Sequence, residues 1–344
     1  MKTFLKIILW VLAACVAAAV VFLAIGAVTD FRPQERETVY EGRGDVLPDS
    51  LKVVTWNIGY GGLGDDMDFF YDGGARMRCD EERTVENLSG IIGVLKALDA
   101  DVYLLQEVDE CSRRSYRINQ LELLRRAFPE YHLYFAYNYK SFFVPIPLSE
   151  PMGKVAGGVA ILTRFRPDRV DRLAYPSRFP FPVSMFNLKR CLLSATFSTA
   201  GGDTVVIGNT HNTAYDTGDM RIQETAFLAS YLDSLSCSGV GAVLGGDWNQ
   251  YPPGYLPSAD ELDNRYFTVA PLDTSLLKRS GRIVYDAGEK TLRYLDRPFR
   301  EGPAQSVTDY FFISEEVGVA GVGVCGNEGF RYADHKPVEI NIVL

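Results

Sequence analysis

Apolar positions along the chain fall into three patterns. The first is an unbroken run, Ile7 to Val28, of 22 uncharged residues dominated by Ile, Leu, Val and Ala. As a helix it would span roughly 33 Å, about the thickness of a bilayer core. The second is a set of short β-branched or aromatic runs bounded by turn or charged residues: Leu51–Thr55, Val102–Leu105, Val205–Gly208, Ala242–Leu244, Tyr310–Ile313 and Val338–Val343. These predict buried strands. The third is helical spacing, with Val85, Leu88, Ile92, Leu95 and Leu98 in Glu81–Leu98, and Phe227, Leu228, Tyr231 and Leu235 in Asp219–Leu235. Strands alternating with helices predict an α/β domain behind one membrane-spanning helix.

Between the apolar run and the first strand, residues 29–50 turn polar and charged, with Pro33, Gly42, Gly44 and Pro48, which reads as a tether. No second linker or internal repeat follows. The expected organisation is therefore a membrane anchor over 1–28, a tether over 29–50 and one catalytic domain over 51–344. Lys2 and Lys6 precede the apolar run, which keeps the short N-terminus cytoplasmic and places the domain on the extracytoplasmic side. A cleaved signal peptide and a lipoprotein signal at Leu12-Ala13-Ala14-Cys15 are the alternatives. Thirteen uncharged residues after Cys15 oppose the second, and the lack of a small-x-small site closing the run opposes the first.

Composition narrows the function classes. The chain is 47% hydrophobic and 23% charged, with a net charge of -9, the balance of a globular protein. Residues 1–44 hold five basic and four acidic side chains, so the remainder carries about -10. That disfavours a broad electrostatic grip on nucleic acid. The six cysteines form no CxxC pair and no zinc spacing. Five of them (Cys79, Cys111, Cys191, Cys237, Cys325) lie in the domain, and an odd number leaves at least one unpaired if disulfides form.

The chemistry stands at the strand ends. The first four candidate strands run into Trp56-Asn57, Gln106-Glu107, Asn209-Thr210-His211 and Gly246-Asp247-Trp248-Asn249. Asp309 precedes the fifth, and Asp334-His335 the last. In open α/β sheets ligands bind beyond the carboxyl ends of strands, so these side chains are expected to converge. Taken singly, each is accounted for as a turn or strand-terminus residue; together they make a hydrolytic inventory. Glu107 and Asn57, with Asp334, supply hard oxygen ligands for Mg2+, with Mn2+ as an alternative. His335 oriented by Asp309 is a general base. His211 and Asn249 are donors to developing phosphoryl charge, and Asp247 positions the attacking water.

These six motifs in this order, the last two reading in full Thr308-Asp309-Tyr310 and Asp334-His335-Lys336-Pro337, resemble the endonuclease/exonuclease/phosphatase superfamily over Leu51–Leu344. The resemblance implies the deoxyribonuclease I-like fold, a four-layer α/β sandwich with two packed mixed sheets. It also implies a Mg2+ at Glu107 and Asn57 and in-line water attack on phosphorus. His211 is similar to the deoxyribonuclease I and sphingomyelinase branches. The inositol polyphosphate phosphatase pattern would carry an arginine after GDxN, where this chain has Gln250. Ala333 stands where a serine is usual before Asp-His, which removes a minor supporting hydrogen bond. The substrate is then a phosphate ester, most simply a phosphodiester: nucleic acid for an anchored nuclease, or a phospholipid for a sphingomyelinase-like enzyme. A non-catalytic binding protein is the remaining class, which the complete residue set opposes.

Three further segments bear on substrate. Tyr137–Gly158 carries Phe142, Phe143, Val144 and Ile146 between Lys140 and Lys154, either an edge packed on the core or a loop that dips into lipid. Arg190, before the run Cys191–Ala195, is a candidate phosphate contact. Gly59–Asp80 holds Asp65, Asp66, Asp68 and Asp72 among glycines, a solvated acidic loop or a second cation site.

Overall fold

In the computed structural model, which describes residues 1–216 and 219–344, the apolar run forms a single helix, α1 (Lys2–Thr29). It is long and apolar enough to cross a membrane. Its Ala- and Leu-rich sequence has no proline and one glycine, Gly26, which favours a continuous helix. Residues 1–21 are exposed; Phe22 and Leu23 are half-buried and Gly26 is buried against the domain.

After α1 come β1 (Arg36–Glu41), β2 (Val46–Leu47), β3 (Ser50–Asn57), α2 (Glu81–Leu98), β4 (Val102–Asp109), α3 (Gln120–Ala127), β5 (His132–Val144) and β6 (Gly153–Thr163). Then follow β7 (Arg169–Ala174), β8 (Cys191–Thr199), β9 (Thr204–His211), α4 (Asp219–Cys237), β10 (Gly241–Asp247), β11 (Gly281–Val284), β12 (Asp309–Ser314), β13 (Gly318–Val324) and β14 (Val338–Val343). Six strands form one sheet in the order β13-β14-β3-β4-β6-β5; eight form the other, β1-β7-β8-β9-β10-β12-β11 with β2 beside β8. In each sheet the pair that carries the first motifs is parallel, β3 with β4 and β9 with β10. Parallel neighbours need a crossover, and α2 and α4 supply the two.

The layers follow from alternation along the strands. In β4, Val102 and Leu104 face the other sheet while Tyr103 and Leu105 face α2 and α3. In β10, Val243 faces inward and Leu244 packs under Leu228 and Leu232 of α4. Helix, sheet, sheet, helix is the four-layer sandwich that the sequence predicts. Each large apolar side chain buried this way contributes about 1.5–3 kcal/mol. Gly245 lets the sheets pack, since a Cβ there would stand 2.8 Å from Leu104 Cδ1 of the facing sheet and 2.5 Å from Phe311 Cε1 of the neighbouring strand.

The segment 29–50 is not a free tether. β1 pairs antiparallel with β7, and β2 pairs parallel with β8, so the eight-stranded sheet begins at Arg36. β1 is a polar edge strand, held by its backbone ladder and by Arg36 and Thr38 bonding Asp171 rather than by apolar burial. That is why no apolar periodicity marks it. Tyr137–Gly158 is mostly the β5–β6 hairpin, with Phe142 and Phe143 packed on Phe22 of α1. The six cysteines, all within the described residues, are free.

Candidate active site

Strand register assembles the site. His211 lies opposite Asp247 across the β9–β10 pair, and Asp247 lies opposite Asp309 across β10–β12, so three polar residues stand level at one end of the larger sheet. In the smaller sheet Asn57 pairs with Gln106, and Glu107 follows. β4 carries a bulge between Leu105 and Val108, and Glu107 sits there at φ 54°. Asn249 is likewise left-handed at φ 51°. Such conformations cost on the order of 1–3 kcal/mol for a non-glycine residue and cluster at functional sites. The His335 loop is pinned from two sides: Asn327 Nδ2 donates to the carbonyls of Ala333 (3.0 Å) and His335 (2.6 Å). Trp56 Nε1 also donates to the His335 carbonyl at 3.0 Å.

His335 and Asp309 form a buried dyad, with Nδ1 2.8 Å from Asp309 Oδ2. The opposite ring nitrogen, Nε2, lies 3.7 Å from Asp247 Oδ2 and 3.9 Å from Asp334 Oδ2. Burial alone would lower the pKa of His335, but the charges of Asp309, Asp247 and Asp334 outweigh it and raise the value well above the ordinary one. His211 goes the other way. Its Nε2 is 3.5 Å from Asp247 Oδ2, yet burial, reinforced by Arg190, holds its pKa well below the usual range, so it is neutral. Asn57 Nδ2 donates to Asp247 Oδ2 (3.1 Å) and Glu107 Oε1 (3.2 Å), while its Oδ1 accepts from Gly59 N–H. Asn249 donates its backbone N–H to Asp247 Oδ1 and its side chain to the Asn212 carbonyl. Arg190 is buried and bonds the His211 carbonyl through Nη1, and its Nε has no partner among the described residues.

All nine predicted residues meet in this region. Eight line one cavity of about 530 Å³ (Asn57, Glu107, Arg190, His211, Asp247, Asn249, Asp334, His335), and Asp309 supports it from behind His335. The cavity also contains residues that the sequence did not single out as site residues. Arg114 stacks on Tyr60, 3.9 Å from the ring centroid, and pairs with Asp109 at 2.9 Å. Arg293 is spent on the backbone carbonyls of Gly64 and Met67. Of the acidic loop, Asp65 and Asp66 pair with Arg83 and Asp68 with Arg76, whereas Asp72 turns inward under the Tyr215 hydroxyl. Burial, with the Glu107 charge adding and the Tyr215 bond opposing, pushes Asp72 up to about 6.

Two arrangements bear on a cation. Ligand atoms of Asp247, Asp309 and His335 lie within 4.8 Å of one another, but the Asp309–His335 bond already occupies that pair. Glu107 and Asp334 make the other. Asp334 Oδ1 is buried without a partner among the described residues, and burial, with His335 opposing and Glu107 adding, raises its carboxyl to about 7. Four carboxylates line the cavity (Asp72, Glu107, Asp247, Asp334) with Arg114, Arg190 and Arg293, and Arg114 reaches Glu107 Oε2 at 3.7 Å as well as Asp109. The oxygens of Glu107 and Asp334, one of them without a partner among the described residues, fit a divalent cation held by oxygen ligands.

With this geometry in hand, the comparisons are decisive. The profile of the Endonuclease/Exonuclease/phosphatase family matches residues 54–335, most of the chain. The chain belongs to this family. Among solved structures it is similar to the endonuclease/exonuclease/phosphatase family protein from Leptotrichia buccalis C-1013-b, at 18% identity and TM-score 0.56, over 86% of this chain and 100% of that one. It is also similar to the endonuclease/exonuclease/phosphatase from Beutenbergia cavernae DSM 12333, at 19% identity and TM-score 0.55, over 86% and 72%. The human Nocturnin catalytic domain with bound sulfate anion aligns at 19% identity and TM-score 0.51, over 87% and 96%. No curated protein sequence matches significantly. As an endonuclease/exonuclease/phosphatase fold, the chain has the scaffold of phosphoester hydrolases, with its polar residues gathered at one set of strand ends.

Proposed function

We propose that the protein is a membrane-anchored, Mg2+-dependent hydrolase of a phosphate ester, most simply a phosphodiester, in which His335 activates the attacking water. The observation that carries this reading is the Asp309–His335 dyad, its Nε2 facing Asp247, Asp334 and the Asn57 amide in a cavity lined by four carboxylates. α1, with Lys2 and Lys6 at its start, supports an anchor with the domain on the extracytoplasmic side.

In this mechanism His335 Nε2 takes the proton of a water positioned by Asp247, which Asn57 and the Asn249 N–H hold in place. The carboxylates around His335 stabilise the imidazolium it becomes, and a cation held by Glu107 and Asp334 would offset the rise they cause in its pKa, so that the ring starts unprotonated. His211, neutral, serves as a hydrogen-bond donor to the phosphoryl oxygens, and Arg190 faces the same group with a guanidinium not committed to any carboxylate. Glu107 and Asp334 would hold Mg2+, with Mn2+ as substitute, and Asn57 orients Glu107. When bound, the ion supplies charge neutralisation for the phosphoryl and leaving oxygens. The sulfate bound to the Nocturnin domain is an anion of phosphate-like shape on the same fold, which suits this reading.

The test is hydrolysis of bis(p-nitrophenyl) phosphate by the full chain in detergent with Mg2+, Mn2+ or a chelator, with plasmid DNA in parallel and calorimetric Mg2+ binding as a second readout. The reading expects turnover lost with chelator and in His335→Ala, and weakened Mg2+ binding in Glu107→Ala. Hydrolysis that survives His335→Ala would remove the base; Mg2+ binding unchanged in Glu107→Ala would remove the metal placement. Cleavage of plasmid DNA in preference to the small diester would make the enzyme a nuclease.

A further inference from the structure

The cavity above the catalytic floor has a wall that phosphoester chemistry does not explain. Phe22 and Leu23 of α1 line it, together with Tyr139, Val144, Met152 and Phe186. The contact is built. Phe22 stacks on Phe186 with ring centroids 4.9 Å apart and planes 13° from parallel, and Phe142 lies 5.7 Å from Phe22. Gly26 permits it, since a Cβ there would stand 2.5 Å from Phe186 Cζ. Asp30, just past the helix, pairs with Lys189 at 3.3 Å. A helix removed as a signal peptide would leave this wall open.

Helix length sets the depth of that wall. Counting from Ile7, the first residue after Lys6, Phe22 lies about 22 Å along the axis, while a hydrocarbon core is about 30 Å thick. With Ile7 at the inner edge, the docked turn would sit inside the outer edge of the bilayer, and the cavity mouth would open at that edge. The surface around it agrees: Ile146, Leu148, Phe181 and Val183 are exposed, and Arg113, Arg117 and Lys154 share a second cavity with Phe142 and Phe143, a basic cluster of the kind that lipid phosphates attract. Polar catalytic groups at the bottom and apolar side chains continuous with a membrane helix at the mouth match one kind of ligand, an amphiphile with a phosphate ester at its head.

We propose that α1 is part of the substrate site. The chamber lined by the stacked Phe22 and Phe186 and by Tyr139 takes the acyl portion of a membrane phospholipid, which reaches the floor sideways from the bilayer. This rests on the reading of the floor as a phosphoesterase, and it commits that enzyme to a lipid substrate rather than to nucleic acid.

The experiment uses the full chain in vesicles of phosphatidylethanolamine and phosphatidylglycerol, doped with a phospholipid carrying a diazirine at its acyl end. Hydrolysis of the vesicle lipid and of bis(p-nitrophenyl) phosphate is measured side by side. The expected result is photolabel on the peptides that contain Tyr139 and Met152, as well as on α1. Phe186→Ala and Gly26→Leu, each checked for an unchanged unfolding transition, should lower the ratio of lipid to soluble-diester turnover by about tenfold or more, because remote binding energy is lost. Label confined to α1 would mean that lipid merely bathes the helix, and would overturn the inference. So would turnover of the soluble diester or of plasmid DNA with vesicle lipid left intact, an outcome that leaves the hydrolase reading standing. Label inside the chamber with neither ester cleaved would keep the lipid site and overturn the hydrolase reading.

Discussion

The cavity has a floor and a wall made of different materials. The floor is polar and sits on strand ends, where register brings His211, Asp247 and Asp309 level and a bulge aims Glu107. The wall is apolar and comes from three separate places: the last turns of α1, the β5–β6 hairpin and the short turn Val183–Phe186. Directional bonds hold the floor, so loss of one atom should disable it. Non-directional packing holds the wall, so only a change of volume should be felt. The contrast predicts effects of very different size in the two regions.

The largest effect belongs to the floor. His335→Ala removes the group that accepts the water proton and should lower kcat by up to about 10⁴-fold with little change in fold. Steady-state rates on a soluble phosphodiester, with the unfolding transition as control, check it; a rate within tenfold of the parent would place the base elsewhere. His211→Ala should follow, at about 10²–10³-fold in kcat and little in KM, because a neutral donor aimed at developing charge acts mainly in the transition state. If KM rises while kcat holds, His211 serves ground-state binding instead.

A third change separates the floor from its support. Gln106 Nε2 donates to Asn209 Oδ1 at 2.7 Å and so links the two sheets behind Glu107. Gln106→Leu keeps the volume but leaves that buried acceptor without this donor, which should cost about 1–3 kcal/mol of stability. Chemical denaturation measures it. A loss of activity without a loss of stability would show that Gln106 positions Glu107 rather than joining the sheets.

The floor was legible because its residues come in short motifs at strand ends, two of them carrying a tryptophan. Trp56 bonds the His335 carbonyl and Trp248 the Tyr310 carbonyl, so Asn57, Asp247 and Asn249 travel with an aromatic that ties them to the rest of the site. Nothing comparable marked Asp72, one of several aspartates in its loop. What singles it out is that Arg76 and Arg83 neutralise Asp65, Asp66 and Asp68, and sequence does not display such pairings. Arg114 and Arg293 were two among 35 Lys and Arg. The wall was invisible for the opposite reason. In a run that is apolar throughout, Phe22, Leu23 and Gly26 offer no contrast with their neighbours, so no periodicity reveals the docked face. β1 escaped notice because an edge strand pairs through its backbone and leaves a polar side-chain pattern.

That strand connects the two regions, and it carries the smallest of the expected effects. β1 leads from α1 into the sheet, and Asp171 of β7 grips it through Arg36 and Thr38, while Arg169 of the same strand bonds both Asp171 and Thr38. Burial would raise the Asp171 carboxyl, but the bonds from Arg169, Arg36 and Thr38 outweigh it and leave the pKa below the ordinary value. The folded state therefore favours the charged form. Its stabilisation is present above the unfolded pKa of about 4 and is lost as pH falls through the lower folded value. Asp171→Asn should weaken β1 by about 1 kcal/mol or less, since Arg36 is largely exposed. Faster amide exchange over Arg36–Glu41 at neutral pH would report it, with the difference from the parent shrinking under acid. Unchanged exchange over Arg36–Glu41 in Asp171→Asn at neutral pH would show that β1 is held by its backbone ladder alone. The seating of α1 beside the floor would then depend on Phe22, Gly26 and Asp30 rather than on the charge of Asp171.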